Sequence, residues 1–355
     1  MLSQGALPGG DAGTMLETAA KVTLAALPAD FPPTLVIVVD TEEEFDWSKP
    51  FARENNATTA IAEQGRAQEI YARFGVVPLY VIDYPVATTG PAWRTLAGFH
   101  AQGLCDIGAH LHPWVNPPFE EAVTTHNSYP GNLPPELEAR KLETLTEAIS
   151  ANFGARPTAY KAGRYGLGPA TSALLERLGY QIDLSLVPHS DFGADGGPDF
   201  RRCADRPYWF GRRGDLLEIP LSRGFAGLAA PLGRRLFPLF DMAALRRLHA
   251  GGIAARLRLL ERITLTPEGV FATEHRRLTR SLLAQGHRIF SLTYHSSSLG
   301  IGGSPYVRST EERDRFLASI EHYLAFFRDE IGGRFGTPAA IYRDLTALRL
   351  QQAAA

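Results

Sequence analysis

The sequence predicts an α/β protein folded as a single parallel (β/α) barrel. Three observations predict it. Strand-like and helix-like segments alternate from Thr34 to the C-terminus. The strand-like runs are continuously apolar rather than alternating, as strands buried on both faces require. No break in composition divides the 355 residues, so one barrel fits better than two domains.

Taken in order, residues 1–30 read as a loosely ordered leader with one helix expected around 14–27. The barrel proper is expected over 31–346. Thr34–Val39 is a β-branched strand, and Thr58–Phe74 has helical spacing that ends at Gly75. Val76–Ile82 is a second strand, Pro91–Gln102 a helix, and Leu104–His112 a third strand. Residues 113–134 are polar, Pro-rich and too long for an ordinary connection, which predicts a lid or substrate loop.

Pro135–Phe153 is strongly helical. Ala159–Ala162 is a strand that runs into Gly163-Arg-Tyr-Gly166, and Pro169–Leu178 is a helix stopped by Gly179. Ile182–Leu186 and Leu216–Leu221 are further strands, with irregular chain between them over 191–213. Residues 223–262 read as an insertion, because Gly, Pro and Arg interrupt any period. Thr266–Gln285 is a helix, Ile289–Tyr294 a strand, and Thr310–Gly332 a helix with Ser309 and Glu312 at its start. Ala339–Tyr342 is expected to close the sheet.

Composition sets the class. Hydrophobic residues make up 45% and charged residues 21%, ordinary for a globular protein that buries a core. The net charge of −2 gives no sign of a nucleic-acid or anionic-membrane partner. Arg212-Arg213 and Arg246-Arg247 read as solvated turns or helix faces. The two cysteines, Cys105 and Cys203, form no CxxC pair. The N-terminus lacks a basic segment followed by an apolar one, and no stretch is apolar enough to span a bilayer. The expectation is a cytoplasmic protein with no integral membrane segment.

The chemistry sits where strands end. Ile107-Gly-Ala-His110-Leu-His112 precedes a Pro-Trp corner. Alternate residues of a strand share a face, so His110 and His112 can aim at one metal ion. The first strand stops at Asp40-Thr-Glu42, where one carboxylate can ligate a metal and the other act as a base toward water. Glu43 and Glu44 read as solvated charges. The Gly163–Gly166 turn presents Arg164, a cation able to keep a nearby carboxylate ionised. The late strand ends at His295, placed to protonate a leaving amine. Trp114, Tyr165 and Trp209 are candidates for a sugar subsite. His126, His189, His275 and His287 read as surface or loop residues.

This order of motifs resembles the polysaccharide deacetylase family with its NodB homology domain. Residues 39–47, 112–119 and 162–168 are more narrowly similar to its WalW-type branch, which is associated with bacterial surface-polysaccharide gene clusters. The resemblance covers roughly residues 34–345. It implies a deformed barrel of about seven strands, a divalent metal, most commonly zinc, and hydrolysis of an N-acetyl group on a carbohydrate substrate. By position, Asp40 matches the catalytic base, Glu42 the metal-binding Asp and His110 the first metal histidine. His295 matches the catalytic acid, and Lys161 or Arg164 the cation that orients the base. The family's second metal histidine falls at Trp114, so His112 must substitute. The candidate set is therefore Asp40, His295 and Arg164 for catalysis, Glu42, His110 and His112 for the metal, and Lys161, Tyr165 and Trp114 for substrate. Two alternatives stand beside it: a metal-dependent hydrolase of another C–N bond, such as a cyclic ureide, and a catalytically inert carbohydrate-binding member.

Overall fold

The computed structural model describes residues 22–240, 242, 245, 247 and 249–354. The first part of the chain runs β1 (Thr23–Leu24), β2 (Thr34–Thr41), α1 (Gln64–Phe74), β3 (Leu79–Ile82), α2 (Tyr84–Thr88), α3 (Gly90–Ala101) and β4 (Asp106–Leu111). It continues through α4 (Pro135–Phe153), β5 (Ala159–Ala162), α5 (Thr171–Leu178), β6 (Ile182–Asp183), β7 (Tyr208–Phe210) and β8 (Leu216–Glu218). The last part holds β9 (Arg223–Ala226), α6 (Gly233–Phe240), α7 (Ala250–Arg256), β10 (Glu261–Thr264), α8 (Ala272–Ala284), β11 (Ile289–His295), α9 (Thr310–Asp329), β12 (Arg334–Phe335) and α10 (Pro338–Ala354).

The main sheet is ordered β1-β7-β8-β6-β5-β4-β3-β2-β11, with β12 also on β2. From β11 through β8 its seven strands are parallel; β7 and β1 extend one edge in antiparallel fashion. This is the deformed barrel; those seven parallel strands match the number the resemblance implies, and β1, β7 and β12 bring the sheet to ten. The open side between β8 and β11 is spanned by single hydrogen bonds. Ser222 N–H donates to Ser291 O, Leu265 N–H to Ser222 O, and Thr293 N–H to Leu265 O. All eight residues of β2 are buried, which is why its pattern is apolar without alternation.

Parallel register carries chemistry to one end of the barrel. His295 on β11 lies opposite Asp40 on β2, and Lys161 on β5 lies opposite His110 on β4. Side chains 51 and 255 residues apart in sequence are thereby paired at the same end of the sheet.

The elements differ from expectation at five places. Most of the expected leader helix lies outside the described residues, and Thr23–Leu24 is a strand paired with Tyr208–Trp209. The stretch read as irregular over 191–213 contains β7. Residues 223–262 form a β9–β10 pair enclosing helices, with a small core of its own around Phe225, Ala230 and Leu260. The helix expected from Thr266 starts only at Ala272, because Pro267-Glu268-Gly269 makes a turn with Gly269 at φ +71°. Ala339–Tyr342 is helical, since the Thr337 hydroxyl accepts from Ala340 N–H and Pro338 stands in the first turn. The terminal strand is instead β12.

Candidate active site

A cavity of about 320 Å³ opens at the C-terminal ends of β2, β4, β5 and β11. Asp40, Glu42, His110, His112, Trp114, Arg164, Tyr165 and His295 all line it. Phe45, Trp47, Phe51, Tyr129 and Phe192 complete a largely aromatic wall. Lys161 stands behind this surface. Trp209 lies elsewhere, in a separate core cluster against Tyr342.

Glu42, His110 and His112 are all buried and converge on one point. Glu42 Oε2 is 3.4 Å from His110 Nε2 and 3.3 Å from His112 Nε2. His110 Nδ1 lies 2.9 Å from the Lys161 carbonyl, which assigns the ring proton to that nitrogen and leaves Nε2 as a lone pair. Glu42 Oε1 is buried without a hydrogen-bond partner. Donors held about 2.0–2.1 Å from one ion at tetrahedral angles stand about 3.3 Å apart, so this set fits a divalent cation such as zinc.

His112 is held from its other side. Its Nδ1 is 2.8 Å from Glu43 Oε2, and Glu43 N–H donates to Asp83 Oδ2 at 2.7 Å. Asp83 Oδ1 accepts from Val86 N–H and so caps α2. Glu43, Asp83 and His112 also cluster closely enough to suggest a second ion. Both Asp83 oxygens are already committed to backbone donors, so we read the group as an acid pair that orients the imidazole. Burial first, then the charge of Glu42, pushes the Glu43 carboxyl up to about 8. Glu43 is therefore a buried partner of a metal-ligand candidate, and its reading as a solvated charge is corrected. Glu44 accepts from Thr59 Oγ1 and Ala60 N–H and anchors the turn before α1.

Gly163 makes room for this arrangement. A Cβ there would stand 2.4 Å from His112 Cδ2. Trp114, the position to which the resemblance assigned a second metal histidine, stacks on His112 with ring centroids 4.3 Å apart. It packs the ring in place and contributes no ligand atom.

Asp40 is fixed by Lys161, whose Nζ donates to both carboxylate oxygens at 2.6 and 2.7 Å and to Thr293 Oγ1 at 3.0 Å. Burial alone would raise the Asp40 carboxyl. The Lys161 ammonium, helped by His110 and His295, overcomes it and holds the pKa below its ordinary value. With these contacts Lys161 is a buried partner of Asp40 rather than a group facing substrate. Arg164 does not contact Asp40. It donates to Ser128 Oγ at 2.7 Å, pairs with Asp195 at 3.2 Å and lies over the Tyr129 ring. The structure thus gives the carboxylate-orienting contact to Lys161 and makes Arg164 a clasp between two wall loops. Arg164 and Tyr165 both have positive φ, 52° and 59°, which turns their side chains into the cavity wall.

His295 faces Asp40 with Nε2 3.9 Å from Oδ2. Its Nδ1 is 2.8 Å from Glu268 Oε2, and its backbone N–H donates to Glu268 Oε1 at 2.9 Å. Burial would lower the imidazole pKa. The charge of Glu268 and then Glu42 outweighs it and raises His295 to about 10. Glu268 is the partner of the candidate acid His295, and sequence reasoning missed it. Its signal was the Pro-x-Gly turn, which cannot sit in a regular helix. His189, His275 and His287 are buried, not surface groups.

A protein from Mycobacterium smegmatis assigned as a polysaccharide deacetylase superimposes with a TM-score of 0.54 at 16% identity, over 92% of this chain and 95% of the other. An allantoinase superimposes with a TM-score of 0.53 at 15% identity, over 92% and 94%. The chain has the deformed (β/α) barrel fold of these proteins. No family model and no curated protein sequence matches it.

Proposed function

We propose that this protein is a metal-dependent hydrolase that removes an N-acetyl group from a carbohydrate. One observation carries the reading. The buried Glu42–His110–His112 triad, the Lys161-held carboxylate of Asp40 and the Glu268-held imidazole of His295 face a single cavity. That is a ligand set, a base and an acid within reach of one scissile bond.

Glu42, His110 and His112 would hold the ion, most commonly zinc. Such an ion acidifies water and polarises a carbonyl oxygen. Asp40, ionised beside Lys161, takes the proton from the water that attacks the acetamide carbon. His295 enters protonated and passes a proton to the nitrogen as the C–N bond breaks. Glu268 keeps the ring turned so that Nε2 faces the reaction. The aromatic wall covers the apolar faces of a sugar ring and excludes water. Trp47, edge-on to His295 at 4.9 Å between ring centroids, and Tyr165 border the bond to be cleaved.

Acetate release from a panel of N-acetylated sugars tests the activity. Asp40→Asn is expected to abolish turnover while metal content stays near wild type. Normal turnover by that variant overturns the assignment of the base.

A second reading rests on the cavity itself. About 320 Å³ with aromatic walls accommodates one small ring, which also suits a cyclic ureide. Non-sugar cyclic amides and ureides in the same panel separate the two activities. Failure of every compound with metal bound favours an inert carbohydrate-binding protein.

A further inference from the structure

The net charge of the whole chain conceals a strongly basic segment. Residues 223–262 contain eight arginines against two acids, Asp241 and Glu261, a formal charge of +6 in a chain whose total is −2. The segment is also where apolar surface concentrates. Seven of the fifteen exposed large hydrophobic residues among those described fall between Leu228 and Leu259. Leu228 is 84% exposed, Leu257 62% and Met242 56%.

The local fold explains how both properties share one unit. In α6, Leu236, Phe237 and Phe240 turn inward onto the cluster around Phe225. Arg234, Arg235 and Leu239 face outward. Helix α7 buries Ala254 and exposes Ile253 and Arg256. Phe240 packs beside Gly251, and the Leu228 and Ala229 N–H groups donate to Arg258 and Leu259 carbonyls. The exposed leucines and arginines therefore belong to one compact unit. Among the described residues, Arg234, Arg235, Arg247, Arg256 and Arg258 form no ion pair with a carboxylate. By contrast, Arg276 and Arg280 on α8 share Glu330. The unit joins the catalytic domain at its rim: Arg262 Nη1 donates to the His189 carbonyl, three residues before the cavity-lining Phe192.

Guanidinium groups with no carboxylate partner, interleaved with exposed leucines, fit a surface that is anionic outside and apolar beneath; Arg234 Nη2 donates only to the Arg202 carbonyl. We propose that the 223–262 insertion docks this protein onto anionic lipid headgroups, with its leucines entering the interface of the bilayer. It lies on the membrane rather than crossing it, since no described helix is long and apolar enough to span one. The exposed leucines favour this partner over a nucleic acid, whose phosphates would need the arginines alone.

The test is cosedimentation of the full chain with phosphatidylcholine vesicles, with and without phosphatidylglycerol. Binding is expected only to the anionic vesicles and is expected to weaken as salt rises. Arg235→Gln and Arg256→Gln are each expected to weaken it about fivefold, the equivalent of about 1 kcal/mol per charge. Leu239→Ser with Leu257→Ser is expected to weaken it further at unchanged charge. All four positions are exposed and outside the catalytic cavity, so folding and basal activity stay as in wild type. Equal binding to both vesicle types, or none to either, overturns the proposal. So does vesicle binding indifferent to the arginine substitutions. Concentration-dependent dimers lost in the leucine variant would assign the face to a second copy, and oligonucleotide binding unaffected by the leucine changes would assign it to nucleic acid. Either overturns the lipid assignment. The salt titration of wild type decides the matter even if a variant misfolds.

Discussion

Lys161 Nζ stands 2.6 Å and 2.7 Å from the two carboxylate oxygens of Asp40, and both side chains are buried. A buried pair of this kind is costly to break from one side, because the remaining charge has no water to replace its partner. Lys161→Met is expected to destabilise the fold by about 3–5 kcal/mol. It also releases the Asp40 carboxyl to rise, which moves the acid limb of activity to higher pH. Urea denaturation checks the first effect and a pH–rate profile the second.

Glu43 acts on the metal triad from outside it. A carboxyl group bonded to the far nitrogen of a ligand histidine fixes the orientation of the ring, an effect worth about 10–100-fold in metal affinity. Glu43→Gln is expected to weaken zinc binding within that range and Glu43→Leu to weaken it more. Titration calorimetry against a competing chelator measures both. Unchanged affinity in the leucine variant would show that His112 needs no such partner.

Glu268 is the dominant source of the high His295 pKa of about 10. If His295 donates a proton, kcat/KM falls as pH rises through that value, since the free enzyme must carry the proton. Glu268→Gln removes the charge and lowers the imidazole pKa, so the alkaline limb is expected to move to lower pH. The contrast between the two profiles is the measurement. An alkaline limb that stays in place would detach it from His295.

Much of this site was legible because strand spacing is local. Asp40, Glu42, His110 and His112 sit within two residues of one another in pairs, at the ends of runs whose apolar character announces buried strands. Parallel register then brings the pairs together without further information. Glu43 and Glu268 were not legible for a matching reason. Glu43 takes its meaning from Asp83, on the end of the neighbouring strand, and nothing near Glu43 distinguishes it from the exposed acids that follow. Glu268 lies in a turn hidden by the helical spacing downstream. The preference of Asp40 for Lys161 over Arg164 also depends on distance across the barrel. The two cations are three residues apart in sequence, and only the strand places one beneath the carboxylate. The arginines of the 223–262 insertion read only as solvated charge because acids elsewhere cancel them in the total.

Stability offers a test independent of metal and substrate. Glu138 on α4 is buried, and its Oε1 accepts from Thr171 Oγ1 at 2.7 Å, tying α4 to α5. Burial raises its carboxyl from 4.5 to about 7, against the smaller opposing effect of the Thr171 hydrogen bond. A folded-state pKa above the unfolded value means that the folded protein holds this proton longer. The contribution to stability is complete below about pH 4.5 and is lost as pH rises through about 7. At about 1.4 kcal/mol per unit, the loss is on the order of 3 kcal/mol. Glu138→Gln cannot ionise and keeps an acceptor for Thr171. The stability difference between variant and wild type, from urea midpoints at pH 5 and pH 8, is expected to shift in favour of the variant on going to the higher pH. A difference that does not change with pH would mean that Glu138 is charged in the fold already, with a solvated path that the packing of α4 on α5 does not provide.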